Sequence, residues 1–443
     1  MAYFIFVMLG VGALFPFNAF ISVPDYFHDI YPTFPWQFIV GLAYNYPSIA
    51  ALLLSVKYGP RVSFTTRTLF GLVTSLLALG SVPLVTQGVP FADISLGTML
   101  LVTFITGIAV STMFGGILGL ASIFPPRFIT AVMIGNGVAG IIVTLIGILT
   151  RFVFPTGAHL TDAENVAARR DSAYLYFALA AGVLLLCIVL FMVLMRLPIT
   201  QHYHSRHVAS QRRAHGVNGD DDGVPSPQGS VTAGAVVNRW NVLKKIKVHA
   251  FSVFTVFFVT LSLFPGIVTT VPPADPDSTW GKSWFTTTMI GMFMLFDWAG
   301  RQTPSVYVPR DKRFIWMFVL ARVVFFPLFI LCIKPRVFDA DWIPIVTCAV
   351  FAWSNGYLGT LAMMFGPSVV DDHERETAGI IMSLMLNSGI FTGVHFALAV
   401  LYGVTGQIGL PAAGSMTTVG NMTMMTVGNN VTTNMFTDTH HLI

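Results

Sequence analysis

The chain has 443 residues, of which 54% are hydrophobic and only 10% charged, and its mean hydropathy is +0.73. Soluble globular chains carry about 25% charged residues, so a water-soluble globule is excluded and a polytopic membrane protein is implied. The formal net charge of +4 is modest, which makes the placement of the bases more telling than their sum.

Apolar windows near the length of a membrane-crossing helix fall at about 2–22, 36–56, 68–87, 95–118, 128–150, 172–195, 248–271, 283–305, 314–333, 342–365 and 378–403. They predict an all-α protein with eleven transmembrane helices and its termini on opposite sides. The first run starts at Ala2 with no basic stretch before it and continues to about Ile21, which reads as a spanning helix rather than a cleaved signal peptide. Pro16 within it frees a backbone carbonyl and bends the helix just before Asn18. Asn45 and Ser48 flank Pro47 in the second run, and Ser111 and Thr112 precede Phe114 in the fourth. The 95–150 region also admits a different division around Pro125-Pro126.

In the fifth run Asn136 sits among glycines, in Gly135-Asn136-Gly137-Val138-Ala139-Gly140. Small residues at three- and four-residue spacing let helices approach closely, so this stretch reads as a packing surface with an amide bonded across it. The same reading applies to Ser354-Asn355-Gly356 in the tenth. Residues 197–246 form the one long polar stretch and read as a disordered cytosolic tether, with a regulatory or partner-binding loop as the alternative. The chain is thereby expected to divide into an N-terminal bundle of six spans (1–196), that loop, a C-terminal bundle of five (247–405) and a weakly ordered tail (406–443). Such a split suits a carrier in which two bundles rock about a central site.

The eighth run contains Asp297 and Arg301, four residues apart and therefore on one helical face. Charges inside a span are costly and usually face a bundle interior or a watery cavity. Three readings stand: a structural ion pair locking this helix to its neighbours, an Arg marking the cytosolic helix end, or a polar site within a translocation path. Cys187, Cys332 and Cys348 lie in apolar runs without CxxC spacing or histidine neighbours and read as packing residues. There is no HExxH, Walker loop or GxSxG, and the glycine rhythm at 135–140 follows no strand. No enzyme activity, cofactor or metal is expected, and transport without an ATP-binding domain must run down a gradient or couple to an ion.

Taking the N-terminus as cytosolic puts 17 of the 24 Lys and Arg on the inner side, which favours N-in, C-out. Two glycosylation sequons, at Asn421 and Asn430, then fall in the outer tail.

Longer motifs carry a resemblance. MLGVGALFPFNAFI, FDWAGR, LARVVFFPLFILCIKPR, VFAWSNGYLGTLAMMFGP and ETAGIIMSLML occur in order. Together they resemble the equilibrative nucleoside transporter family, with Phe17 where the family usually has Trp. The resemblance implies a major-facilitator-like fold in a 6+5 arrangement. It implies facilitated diffusion of nucleosides, sometimes of nucleobases, across a lipid bilayer, with no nucleic acid polymer as partner. It further implies Asp297 as acceptor for sugar hydroxyls and Arg301 as donor to sugar or base. Phe17 would form an apolar wall with Leu14 and Ile21, beside Asn18, and Asn45 and Ser48 would line the same cavity. Phe264 and Pro265 would form the outer constriction, and Arg67 and Glu376 an inner gating pair, although Arg67 also suits simple positive-inside anchoring. An ungapped alignment puts Phe114 where the family often has a base-reading glutamine, so base preference is open and Ser111 or Thr112 stands in nearby. The leading expectation is a plasma-membrane nucleoside carrier, purines included. Its rivals are a proton-coupled carrier using Asp297 as relay, and a non-transporting receptor or scaffold.

Overall fold

A computed structural model describes residues 1–21, 23–32, 36–88, 92–155, 161–214, 237–278, 281, 284–310 and 314–405. The long helices among them are α1 (Ala2–Ile21), α2 (Trp36–Tyr58), α3 (Phe64–Gly88), α4 (Ala92–Ile123), α5 (Arg127–Val153), α6 (Asp162–Arg196), α7 (Arg239–Leu263), α8 (Phe285–Gln302), α9 (Ile315–Ile333), α10 (Trp342–Phe365) and α11 (Arg375–Thr405). Ten regions of the described chain are long and apolar enough to cross a membrane. Helix α8 is not among them: it has 18 residues and includes three threonines, Asp297, Arg301 and Gln302. The helix that is least suited to lipid is thus the one bearing the charged pair.

Local chemistry sets the helix ends. Pro125-Pro126 separates α4 from α5, because proline lacks a backbone donor and disfavours helix in the residue before it. Thr161 and Glu164 close a capping box at the start of α6. The Asn238 side chain accepts from the backbone N–H groups of Trp240 and Asn241 and starts α7. Helix α9 is interrupted by a 3₁₀ turn at Arg322–Val324, where the buried Arg322 departs from the apolar run.

Helices α1 to α6 pack chiefly on one another, with α1 against α5 and α6, and α4 against α2 and α3. Helices α7 to α11 do likewise, with α7 against α11 and α8 against α10. The two groups meet along two seams, α5 with α8 and α10, and α11 with α2 and α4. Close approaches are made by glycine. A Cβ on Gly135 would lie 2.0 Å from the Val7 carbonyl oxygen, and one on Gly10 2.2 Å from that of Val132, so α1 and α5 touch backbone to backbone.

The polar stretch at 197–246 corrects the expectation of a wholly disordered tether. Pro198–Ala214 is helical, and α7 already begins at Arg239; 215–236 lie outside the described residues. Proline suits a first helical turn, and the helix has a narrow docking face. Thr200 and His207 are buried on it, and the Tyr203 ring lies 5.0 Å from that of Phe124. So little apolar surface is invisible in composition. The 406–443 tail, with Asn421 and Asn430, also lies outside the described residues.

Candidate functional site

Asp297 and Arg301 occupy the last two turns of α8, and both are buried, at 8% and 7% exposure. Arg301 Nε donates to Asp297 Oδ2 at 2.7 Å. Asn355 Nδ2, from α10, donates to the other carboxylate oxygen at 2.6 Å. Arg301 Nη1 then reaches across the seam and donates to the Met133 carbonyl of α5 at 3.3 Å. One ion pair is therefore tied to three helices and to both bundles, and it packs against protein rather than lipid. Charge-assisted bonds of this kind are short and strongly oriented.

Glycines bring these elements together. A Cβ on Gly356 of α10 would fall 2.1 Å from the Asp297 carbonyl oxygen, and one on Gly300 of α8 2.2 Å from that of Trp353. The two helices cross at those points with nothing between them, which puts Asn355 beside Asp297.

The network extends further than sequence reasoning placed it. Thr260 Oγ1, from α7, lies 2.7 Å from Asn355 Oδ1. Arg322 Nη2 donates to the same hydroxyl at 2.8 Å, and Arg322 Nη1 donates to the Val256 carbonyl at 2.8 Å. The Thr260 hydroxyl carries one proton and has two acceptors in reach, Asn355 Oδ1 and the Val256 carbonyl at 2.8 Å. Arg322 also donates through Nε to Ser354 Oγ at 3.1 Å and lies over the Phe351 ring at 5.0 Å. A lone base inside an apolar run was the available signal for Arg322. Nothing in the local sequence pointed to Thr260.

The other expected residues divide between roles. Phe17 of α1 is half-buried and packs on Tyr44 of α2, with ring centroids 4.4 Å apart. Leu14 is half-buried, and Asn18, Ile21 and Phe114 are buried. Asn45 Nδ2 donates to the Gly41 carbonyl of its own helix at 2.8 Å. The Ser48 hydroxyl faces the carbonyls of Tyr44 at 2.7 Å and Gly107 at 3.0 Å, where α2 meets α4. Phe264 is stacked face to face on Phe293 of α8 at 3.6 Å, and Pro265 leads into the short helix Gly266–Thr269.

Arg67 of α3 and Glu376 of α11, 309 positions apart, are in direct contact through Nη2 and Oε1, and both are buried. A third residue joins them unforeseen. His207 places Nε2 3.7 Å from Glu376 Oε2 and Nδ1 2.7 Å from the Asp372 carbonyl. The adjoining Arg206 pairs with Asp372 at 3.0 Å. Lys245 bridges Asp371 at 2.9 Å and Glu374 at 2.6 Å, and its ammonium holds the Asp371 carboxyl below the usual range. Beneath this polar cluster α4 presents small residues to α11. A Cβ on Gly379 would lie 2.2 Å from Ser122 Oγ and 2.6 Å from the Leu118 carbonyl oxygen. One end of the molecule is thus sealed by ion pairs over a tight helix contact.

Comparison with known proteins adds to this geometry. Residues 99–401 match the family model described as nucleoside transporter. Equilibrative nucleotide transporter 1 of Arabidopsis thaliana is 30% identical over 400 residues, covering 88% of this chain and 84% of that protein. Equilibrative nucleoside transporter 1 of Homo sapiens is 30% identical over 452 residues, covering 89% and 95%. Among solved structures, the E. coli fucose:proton symporter FucP superposes with a TM-score of 0.58 at 13% identity, covering 92% of this chain and 94% of that one. The proton:xylose symporter XylE gives 0.57 at 12% identity, covering 89% and 87%. These last two likenesses show a major-facilitator fold.

Proposed function

Because this chain belongs to the nucleoside transporter family, we propose that it carries nucleosides across a membrane by facilitated diffusion, through alternating access about the Asp297–Arg301 pair. The chain is a membrane transporter and not an enzyme. The observation that carries the site assignment is the position of that pair: buried, hydrogen-bonded to α10 and reaching α5 in the opposite bundle.

A carboxylate and a guanidinium held in a low-dielectric interior suit a neutral, hydroxyl-rich substrate. Each carboxylate oxygen keeps a lone pair for a sugar hydroxyl after serving Arg301 and Asn355, and Arg301 keeps donors for sugar or base. The Phe17–Tyr44 aromatic pair supports an apolar wall for the base, with Leu14 and Ile21 about one turn to either side of Phe17 on α1, Asn18 next to it, and Phe114, Asn45 and Ser48 on the neighbouring helices. Rocking of the bundles must break the Arg301–Met133 bond, which couples substrate at the pair to the seam.

The positive-inside bias supports a cytosolic N-terminus, an outer C-terminus and a cytosolic location for the Arg67–Glu376 seal. In that orientation this conformation is closed to the cytosol, with Phe264 and Pro265 at the outer end. A plasma-membrane location accords with the sequons at Asn421 and Asn430.

Counterflow in proteoliposomes tests the reading. Labelled adenosine should exchange for unlabelled nucleoside without any ion gradient, and Asp297→Ala should lower that exchange at least about tenfold while the protein stays folded. Unchanged exchange by a folded Asp297→Ala variant would sink the site assignment. Accumulation driven only by a pH gradient, and lost in Asp297→Asn, would replace facilitated diffusion by proton coupling.

A further inference from the structure

Asn136 of α5 is 9% exposed, and its carboxamide oxygen has no hydrogen-bond partner among the described residues. Buried polar atoms are nearly always satisfied, and leaving one unpaired costs stability, so such an atom calls for an explanation. The packing reading of the Gly-Asn-Gly stretch explains the glycines but not the amide. Gly135 meets the backbone of α1, and Gly137 meets α8, where a Cβ would lie 3.0 Å from Arg301 Cδ and 3.4 Å from Trp298 Cδ1. Asn136 stands between those two contacts.

Its direction follows from helix geometry. The membrane-facing stripe of α5 is marked by Leu145, Leu149 and Phe152, at 59%, 50% and 81% exposure. Nine residues separate Asn136 from Leu145, two and a half turns at about 3.6 residues per turn, so the two point to opposite sides. Val132, Ala139 and Val143 share the Asn136 face, and all are buried. The amide therefore faces the protein interior, within one turn of the Met133 carbonyl that Arg301 grips. A second unsatisfied atom lies on the same seam: the Trp298 indole Nε1, buried and without a partner among the described residues. One acceptor on α5 and one donor on α8 are thus left open on the two helices that the Arg301–Met133 bond joins.

From this we infer that Asn136 contacts the transported molecule and helps to set which molecules are carried, its carboxamide oxygen accepting a hydrogen bond from a substrate N–H or O–H. The inference rests on the nucleoside-carrier reading above and deepens it. A nucleoside offers two sources of such a donor, the exocyclic amine of its base and the hydroxyls of its ribose. A site built around a buried acceptor rejects an analogue that lacks the matching donor, because the acceptor is then left bare.

The test uses full-length protein in proteoliposomes and four substrates. They are adenosine, purine riboside (which lacks the 6-amino group), 2′-deoxyadenosine and 3′-deoxyadenosine. Wild type should carry adenosine with kcat/KM about tenfold above one of the three analogues. Asn136→Ala should lose that preference by falling on adenosine and on the two analogues that keep the matching donor, and the one analogue that it carries as well as wild type does identifies the donor. Asn136→Ser and Asn136→Gln, which keep a polar atom but move it, are run in parallel, so the comparison survives if the alanine variant does not fold. Each should shift the preference rather than scale all four rates together. Variants that elute and melt like wild type yet lower all four rates equally, or none, overturn the inference while leaving the carrier reading intact. Wild-type protein that exchanges none of the four overturns both.

Discussion

At the scale of single residues, the site is organised by a base that touches no acid. Among the described residues Arg322 has no ion-pair partner, yet it donates to Ser354, Val256, Thr260 and the Phe351 carbonyl. Its guanidinium is satisfied as a fork of neutral hydrogen bonds, and one of these ends on the Thr260 hydroxyl, which also contacts Asn355 and through it Asp297. A lysine ammonium is a single point with three donors and cannot span that fork. Arg322→Lys is therefore expected to raise KM for nucleoside several-fold with a smaller change in kcat. Arg322→Leu should also lower Tm by several degrees, since each bare acceptor costs about 1–3 kcal/mol. A melting curve and a concentration series on the two variants check this; equal loss in KM and kcat would mark Arg322 as merely structural. The charged pair on α8 was legible because two charges four residues apart stand out in an apolar run. Thr260 and Asn355 were not legible as partners, since they lie 95 positions apart and each is an ordinary residue for a packed membrane helix.

At the scale of elements, α8 and α10 are held at backbone distance by Gly300 and Gly356, and that distance is what brings Asn355 within 2.6 Å of Asp297. Any side chain at either glycine must push the helices apart. Gly300→Ala is expected to cost about 1–3 kcal/mol of stability and to weaken transport more than melting, because the Asn355 bond is the first casualty. Spin labels on α8 and α10 should report an increased separation; an unchanged distance would count against this account. The apolar runs were legible because length and hydropathy suffice to find helices in a bilayer. The 3₁₀ turn at Arg322–Val324 and the docked helix Pro198–Ala214 were not. Each depends on tertiary partners: the carbonyls and hydroxyls around Arg322, and the few buried positions that fasten an otherwise polar helix to Phe124 and Asp372.

For the whole molecule, the two bundles are clasped at one end by Arg67, Glu376 and His207, above the tight contact of Gly379 with Ser122. Removing one partner of a buried ion pair leaves the other charge uncompensated, so Arg67→Glu and Glu376→Arg should each shift the population away from this closure, and the double exchange should restore it. A cysteine at Gly115, whose Cβ would have no neighbour nearer than 3.6 Å, serves as reporter. Alkylation from the sealed side should rise about fivefold in each single variant, the change that one kcal/mol produces, and return in the double. Equal alkylation in all four proteins would show that the pair does not govern closure. The resemblance made the pair legible; His207 was hidden within a stretch whose composition favoured a tether.

The low hydropathy of α8 bears on how the protein is made. A charge at the centre of a spanning helix is opposed during insertion by about 2.5–3.5 kcal/mol, and less toward its end where Asp297 and Arg301 lie; the groups that satisfy this pair come partly from α10, which emerges from the ribosome later. A nascent chain stopped at residue 310 should let α8 slip through the translocon, whereas one extended beyond Phe365 should retain it. The same polarity that suits this helix to the proposed site is expected to make it a late guest in the bilayer, admitted only once its neighbours have arrived.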